Sequence, residues 1–430
     1  MYVFPGGYFA MNLRRHIVIY PLLCITLFTF ARAQTPRITA STLHIDEAVE
    51  IVLTRSAERS ILDAHLARQQ AIRLTAGILP NPSIGYTHEE LSGTGSRYAE
   101  WSATVDYPLL SLLFRGSRTE AADMNVRAAV AQNARAIADL MYEVREQYLD
   151  TWKLRNVHQT LVDIQPRIRS LEEVVSARQE EGDISSYERH RLHTELTTLQ
   201  WRVTTMERDL HTAEARLAAL LSIPLDSLRQ IQLHLPVLEK IDLDLPMLVD
   251  ITIKNRSDLV SLRAQRAALE HENRWLGKSW LEDFRIGGGY KHQSDTYSGP
   301  VLTLSTPIPL FERKQGLRAE NEAVQSMLDA NTRILERKVV AEIHNAVSAY
   351  EQIIGQAAAF YPPNQLGESD LLATASEAYR EGEFSLVEYL DALTAHTDGR
   401  ELNHTVRAAV LTAAFRLELA VERNLFSKQQ

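Results

Sequence analysis

The hydrophobic residues follow two different periods along the chain. In residues 82–108 and 284–308, apolar and polar positions alternate, and a turn rich in Gly and Ser divides each segment. Alternation with period two over about ten residues predicts a β-strand with one apolar and one polar face. Each segment is therefore predicted to form a β-hairpin, the first ending at Pro108 and the second at Pro307.

Long helices are predicted after each hairpin. Apolar residues recur there in alternating steps of four and three, which is typical of coiled-coil packing. Pro166 is expected to interrupt the first of these helices, and Tyr361-Pro362-Pro363 its counterpart. The two clearest stripes are Val126, Val130, Asn133, Ile137, Leu140 and Val144, and then Leu192, Leu196, Leu199, Val203, Met206, Leu210, Ala213 and Leu217.

The order of these patterns repeats after about 200 residues. A glycine-centred turn between two helical patterns occurs at Gly182 and again at Gly382. We therefore expect two structural repeats, residues 34–230 and 231–430, each with a helix, a β-hairpin and a long helical hairpin that turns at its glycine. A short strand is also expected near residues 231–235, between the repeats.

The first 33 residues have the layout of a secretory signal peptide. Arg14-Arg15 precede an uncharged apolar run over residues 17–30, and Ala31-Arg32-Ala33 has the small residues of a cleavage site. Export is therefore expected, with removal of residues 1–33. No other apolar run approaches the roughly 18 residues that a membrane-spanning helix needs, so insertion into a membrane would have to use strands.

Charge and cysteine content narrow the possible partners. The formal net charge is −9, and it becomes −12 without the predicted signal peptide, which contains three arginines and no acidic residue. Nucleic acid is not expected as a partner, because phosphate binding requires a basic face. Cys24 is the only cysteine and lies in the same segment, so the mature chain has no disulfide, cysteine ligand or cysteine nucleophile.

The sequence has no residue constellation typical of an enzyme. His190 and His193 are three residues apart on a predicted helix, but no third ligand follows at helical spacing, which favours a solvated helix surface over a metal site. Gly287-Gly288-Gly289 lies in a strand pattern, which favours close backbone approach over phosphate binding. We expect no catalytic residue, no cofactor and no bound metal.

The predicted hairpins suit two environments. Strands of this length and pattern occur in outer-membrane barrels and in soluble hairpins packed on helices, and the pattern alone favours the soluble hairpin because the barrel signal of each strand is weak. Four strands cannot close a barrel of useful bore, so a membrane form would need several chains, and three would contribute about twelve strands. The candidate membrane-interface aromatic residues are Tyr86, Trp101, Tyr107 and Tyr290.

The most specific motif is Ala378-Tyr379-Arg380-x-Gly382-x-x-Ser385-x-x-Glu388-x-Leu390-Asp391-Ala392. Together with the export signal, Leu79-Pro80-Asn81-Pro82 and the two hairpins with their long helices, it resembles the TolC-like outer-membrane efflux factor family, particularly the outer-membrane subunits of heavy-metal cation pumps. The resemblance covers nearly all of residues 40–425. It implies a mainly α fold with transmembrane β-strands, in which a homotrimer forms one barrel of about twelve strands. The barrel would lie in outer-membrane lipid and continue as an α-helical tube in the periplasm.

The same resemblance implies a function. The chain would be the exit duct of a tripartite efflux system, which passively conducts metal cations or drugs. It would dock to a periplasmic adaptor and to an inner-membrane transporter, usually of the resistance-nodulation-division type. The exit duct of a type I protein secretion system would look similar, and a soluble periplasmic coiled-coil scaffold is an alternative of a different class.

Residues at the two glycine turns also match family positions. In the family, the turns that match Gly182 and Gly382 lie at the periplasmic tip of the tube, where the helices coil inward. Tyr379 matches the tip tyrosine, and Glu188 matches an acidic partner from the first repeat. Phe384 stands where relatives carry an arginine, so apolar packing is expected to replace the salt bridge that closes the tip in the family.

Glu388 and Asp391 match positions that form acidic rings in the lumen of the family's tube. Threefold symmetry would place the carboxylates of three chains around one narrow bore, where like charges repel unless cations enter. The alternative is a solvated acidic pair three residues apart on an exposed helix face. The expected site is therefore a cation-attracting gate formed by these two residues with Glu188 and Tyr379.

Overall fold

The structure is a computed structural model that describes residues 42–93, 96–180, 185–238, 240–360 and 368–426. All of them belong to one structural unit, Thr39–Gln430. The predicted signal peptide, Gly182 and the Tyr361-Pro362-Pro363 segment lie outside the described residues.

The described elements form two series of similar order. The first series contains β1 (Thr42–His44), α1 (Ile45–Arg55), α2 (Ala57–Gly77), β2 (Ser83–Gly93), β3 (Ser96–Tyr107), α3 (Ser111–Glu180) and α4 (Ser186–Leu220), then the short helix α5 (Leu225–Arg229) and β4 (Gln232–His234). The second contains α6 (Leu245–Asn255), α7 (Ser257–Leu276), a 3-10 turn (Ser279–Asp283), β5 (Arg285–Gln293), β6 (Ser298–Ser305), α8 (Gln315–Phe360), α9 (Glu368–Arg380) and α10 (Leu386–Val421). Helices α8 and α9 thus occupy the place that α3 has in the first series.

Strands β2, β3, β5 and β6 form one antiparallel sheet in that order, and they occupy the segments where hairpins are expected. Tyr86 pairs with Ala103, and Ala103 pairs with Tyr290, so these side chains share one face. This face is apolar, and Ile84 on it is 82% exposed. The opposite face is polar, since it has a Glu100–Lys291 ion pair at 2.7 Å.

The glycines of β5 allow close packing within the sheet. A Cβ atom on Gly287 would overlap the carboxylate of Asp106, which accepts a hydrogen bond from the Thr303 hydroxyl at 2.6 Å. A Cβ atom on Gly289 would overlap the backbone of Ala103. Gly289 therefore has the predicted role of close backbone approach, whereas Gly287 leaves room for the Asp106 side chain and a Cβ atom on Gly288 would meet no atom within 4 Å.

The short parallel pair β1 and β4 joins the first element of the first series to its last. Leu43 pairs with Leu233, and both side chains are buried. Beneath the pair, the fully buried Tyr148 of α3 donates its hydroxyl proton to the Leu43 carbonyl at 2.5 Å and accepts the His234 amide at 2.8 Å. One hydroxyl thereby satisfies polar backbone groups from both strands.

Helix α3 continues through Pro166, so the expected interruption at this residue is wrong. The helix has 70 residues, which corresponds to about 105 Å at 1.5 Å per residue. A proline inside a helix costs about 3 kcal/mol because it removes one backbone hydrogen bond and crowds the preceding turn. Ile164 and Ile168 on either side of it are buried in a cluster with side chains of α4, α9 and α10, and this packing offsets the cost.

The second predicted stripe is correct and the first is partly wrong. Leu192, Leu199 and Leu217 of α4 are buried as expected. In α3, Val130 is 49% exposed, while the neighbouring Ala129 is buried. Small alanine side chains allow the close approach of α3 to its neighbours that the larger valine would hinder.

Among the helices of the described ranges, none combines the length and the apolar composition required to cross a membrane.

We predict that Tyr148→Phe destabilises the protein by about 1–3 kcal/mol, because the substitution leaves buried backbone groups of β1 and β4 without a partner. The matched control is Tyr142→Phe in the same helix, where the lost hydrogen bond to Glu146, 3.3 Å long, is exposed to solvent. Urea unfolding followed by circular dichroism measures both changes. Equal stability of the two variants would contradict the role assigned to Tyr148.

Candidate functional site

The turn between α9 and α10 is closed by backbone hydrogen bonds around a glycine. The Gly382 amide donates to the Tyr379 carbonyl at 3.3 Å, and the Glu383 amide donates to the Ala378 carbonyl at 2.8 Å. These two bonds define a Schellman motif, in which the residue after the helix cap is left-handed. Gly382 has a φ of 79°, a conformation that costs residues with a Cβ about 1–2 kcal/mol. The structure thus has a turn at Gly382, where the sequence predicts one.

Helix α10 begins with a capping box. The Glu388 amide donates to the Ser385 hydroxyl oxygen at 3.3 Å, and the Glu388 carboxylate accepts the Ser385 amide at 2.8 Å. Helix α4 begins in the same way, with Ser185 as the cap and Glu188 as its partner. Both glutamates of the candidate gate therefore also stabilise the start of a helix.

Tyr379 lies at the end of α9 among residues of three other helices. Its ring stacks on that of Tyr389 in α10 with centroids 5.3 Å apart, and the guanidinium carbon of Arg178 in α3 lies 5.6 Å from the Tyr379 centroid. Burial raises the pKa of Tyr379, Arg178 opposes this shift, and the negative charge of Glu188 in α4 adds to it. Within the described part of the chain, the buried Tyr379 hydroxyl has no hydrogen-bond partner.

The remaining gate residues are on the surface of α10 and its preceding turn. Asp391 is exposed one turn after Glu388, on the side opposite the buried Leu390 and Leu393. Phe384 is 37% exposed, so within this chain it is only partly packed. The charge of Glu188 acts on Tyr379 without a hydrogen bond between them, and Glu388 and Asp391 lie on the exposed face of the adjoining helix.

Two residues of this region were not predicted from the sequence. Arg178 was not singled out, because its contact with Tyr379 joins positions about 200 residues apart. Tyr389 lies at helical spacing from the buried Leu386 and Leu393, and this spacing gives no sign that it stacks on a tyrosine of another helix.

The four candidate interface aromatics lie on the apolar face of the sheet. The ring of Trp101 is 6.4 Å from that of Tyr86 and 6.3 Å from that of Tyr290, so an aromatic cluster crosses three adjacent strands. Tyr107 pairs with Ile286 on the same face, nearer to the helices. Aromatic side chains on an exposed apolar face are typical of membrane interfaces.

No group of three or more metal-ligating side chains occurs among the residues that the structure describes. His190 is on the surface of α4, and its Nδ1 atom lies 2.7 Å from the Ser186 carbonyl oxygen. This contact fits the predicted role of a helix-surface residue.

We predict that Gly382→Ala destabilises the α9–α10 turn by about 1–2 kcal/mol through backbone strain alone, since no atom lies within 4 Å of the added Cβ. Gly399→Ala in the interior of α10 is the matched control, because it also meets no atom within 4 Å. It should stabilise the helix by about 0.5–1 kcal/mol. Opposite shifts of the two unfolding temperatures are expected, and shifts of the same sign would contradict the conformational argument.

A pH dependence follows from the capping box of α10. The hydrogen bond from the Ser385 amide, followed by that from its hydroxyl, lowers the pKa of Glu388 below the ordinary value. A lowered pKa in the folded state gives a stabilisation that is present above the unfolded-state pKa, about 4.3, and is lost as pH falls through the folded-state pKa.

Unfolding temperatures of the wild type and Glu388→Gln, measured between pH 7 and pH 3, should therefore converge in acid. A difference that stays constant over this range would show that the Glu388 charge does not contribute to the cap.

Comparisons with known proteins identify the fold. No family model matches the sequence. No curated protein matches it either. Among solved structures, the outer membrane protein VceC from Vibrio cholerae is similar with a TM-score of 0.68 and 14% identity, over 88% of this chain and 96% of that one. The Campylobacter jejuni CmeC outer membrane channel has a TM-score of 0.69 and 13% identity, over 90% of this chain and 87% of that one. The Neisseria gonorrhoeae MtrE outer membrane channel, in its open state, has a TM-score of 0.66 and 15% identity, over 90% of each chain. The chain therefore has the fold of the TolC-like outer-membrane channels.

Proposed function

We propose that the protein is the outer-membrane exit duct of a tripartite efflux system. It passively conducts substrates, either metal cations or drugs, from a periplasmic adaptor and an inner-membrane transporter of the resistance-nodulation-division type to the outside. The observation that carries the proposal is a four-stranded sheet with an exposed apolar face and a hydrogen-bonded polar face, joined to a helix of 70 residues. The polar face would line the lumen and the apolar face would contact lipid.

The edges of the sheet support a trimer. Among the described strands, β2 and β6 are each paired on one side, so each has a free edge. Backbone groups at such edges have no partner in the hydrocarbon region of a membrane. Three copies joined β2 to β6 would close a barrel of about twelve strands and satisfy these groups.

The gate of the duct is assigned to Glu388, Asp391, Glu188 and Tyr379. Three copies of Glu388 and Asp391 place negative charge around one bore and attract cations. The capping hydrogen bonds keep the Glu388 carboxylate charged by lowering its pKa, and Asp391 is exposed one turn further on. Tyr379 packs between Arg178 and Tyr389, where it links α9 to its neighbours.

We predict that the purified trimer conducts ions in planar lipid bilayers with a preference for cations. In the double variant Glu388→Gln and Asp391→Asn, this preference should fall several-fold, because the charge of the ring is removed. Glutamine at position 388 can still serve in the capping box, so the turn is retained. The measurement is the reversal potential in a KCl gradient.

Asp226→Asn is the control for that experiment, since Asp226 is exposed on α5, outside the α9–α10 turn. A conducting trimer whose reversal potential is the same in the double variant would refute the ring, but not the duct. A stable monomer in detergent-free buffer would refute the duct and favour the periplasmic scaffold. Copurification with a protein secretion apparatus instead of an efflux transporter would favour the secretion duct.

A further inference from the structure

Each strand has one end that leads towards a helix or the 3-10 turn. These four ends lie side by side at one end of the sheet. The pairings Ser83 with Asp106, Asp106 with Gly287, and Gly287 with Thr303 fix this arrangement. The segments that adjoin this end of the sheet have exposed apolar side chains. They include Leu113 at 71%, Ile308 at 73% and Phe311 at 89% exposure. We call the segments at this end of the sheet the collar. It consists of residues 78–79, 108–118, 277–285 and 306–318.

Basic side chains accompany the apolar residues of the collar. Arg115, Lys278, Arg313, Lys314 and Arg318 are exposed. The Arg318 guanidinium is 4.0 Å from the position of a Cβ atom on Gly277, which places it beside Lys278. Arg118 is bound to Glu282 at 3.4 Å, and this ion pair links α3 to the 3-10 turn.

These five exposed basic residues have no carboxylate partner among the described residues, whereas Arg73 and Arg118 nearby are both paired. The collar contains three acidic residues: Glu282 is bound to Arg118, the Glu312 carboxylate accepts the Lys314 amide at 2.7 Å, and Asp283 is exposed. The collar thus concentrates unpaired positive charge in a chain whose net charge is −9.

Basic residues of the collar lie near the N-termini of α3 and α8, where the helix dipole disfavours positive charge. Helix N-termini favour negative side chains, yet the first turns of α3 and α8 contain none. Lys314 and Arg318 flank the first turn of α8, where their charges are unfavourable for the isolated helix. A negatively charged partner outside the chain removes this conflict.

We propose that the collar binds the headgroups of anionic phospholipids in the membrane leaflet that faces the helices. The inference rests on the proposed outer-membrane duct, because insertion of the sheet brings the collar to the membrane surface. Its exposed leucine, isoleucine and phenylalanine side chains reach the acyl chains, and the basic residues meet the phosphate groups. Trp280 in the 3-10 turn is 41% exposed and belongs to the collar, so it would lie at the same depth as the bound headgroups.

Trp280 and Trp101 provide separate reporters. The full chain is reconstituted into phosphatidylethanolamine vesicles that contain brominated phosphatidylglycerol or, in parallel, brominated phosphatidylethanolamine. The difference in quenching between the wild type and Trp280→Phe measures contact of the brominated lipid with the collar. The difference between the wild type and Trp101→Phe measures insertion of the sheet. We expect the phosphatidylglycerol to associate with the collar about fivefold or more tightly in 0.1 M NaCl.

The variant Arg115→Gln, Arg313→Gln, Lys314→Gln and Arg318→Gln should reduce this preference to less than about twofold. The control removes the same charge from exposed positions of the long helices, with Arg189→Gln, Arg333→Gln, Arg337→Gln and Lys338→Gln, and it should keep the preference. If Trp101 is quenched and both lipids quench Trp280 equally, the collar inference is overturned and the duct remains intact. The same conclusion follows if the control variant loses the preference for phosphatidylglycerol as much as the collar variant does. Absence of Trp101 quenching overturns the duct as well.

Discussion

In the proposed duct, the need to satisfy backbone hydrogen bonds at the sheet edges would determine how the copies assemble. Four strands in the order β2-β3-β5-β6 leave one free edge on β2 and one on β6 among the described strands. Water satisfies such edges in a soluble protein, but hydrocarbon does not, and closure with further copies is the available solution in a bilayer. Because the strand ends that lead to the helices lie at one end of the sheet, closure in the proposed trimer would also bring α3 and α8 of each copy around a common axis.

The two series of elements differ where packing differs. Helix α3 runs without a break for 70 residues, although Pro166 interrupts its hydrogen bonding. Its neighbours Ile164 and Ile168 are buried, and the hydrophobic gain of two such side chains, about 1.5–3 kcal/mol each, offsets the cost of the proline. In the second series α8 ends at Phe360 and α9 begins at Glu368, so the same part of the fold is made of two described helices.

Features that depend on residues close in sequence were predicted better than features that depend on long-range contacts. The hairpins follow from period-two alternation, and the turn at Gly382 follows from a glycine between two helical stripes. Both depend on residues close in sequence. The exposure of Val130 and the contact of Arg178 with Tyr379 depend on which helices become neighbours, and a single sequence does not encode this in any local spacing. Both capping boxes are present in the sequence as Ser-x-x-Glu, but the family resemblance predicts only a lumen role for Glu388 and a role as acidic partner for Glu188.

The capping boxes connect the fold of the proposed gate with its charge. The Glu388 carboxylate is held by the Ser385 amide and hydroxyl, so its position is fixed relative to the first turn of α10. Any displacement of α10 therefore carries this charge with it as part of a rigid helix start. Tyr379 ends α9 on the other side of Gly382 and stacks on Tyr389 of α10. A movement that separates the two helices must break this stacking, whereas a movement of both together preserves it, and so the glycine turn favours motion of α9 and α10 as one unit.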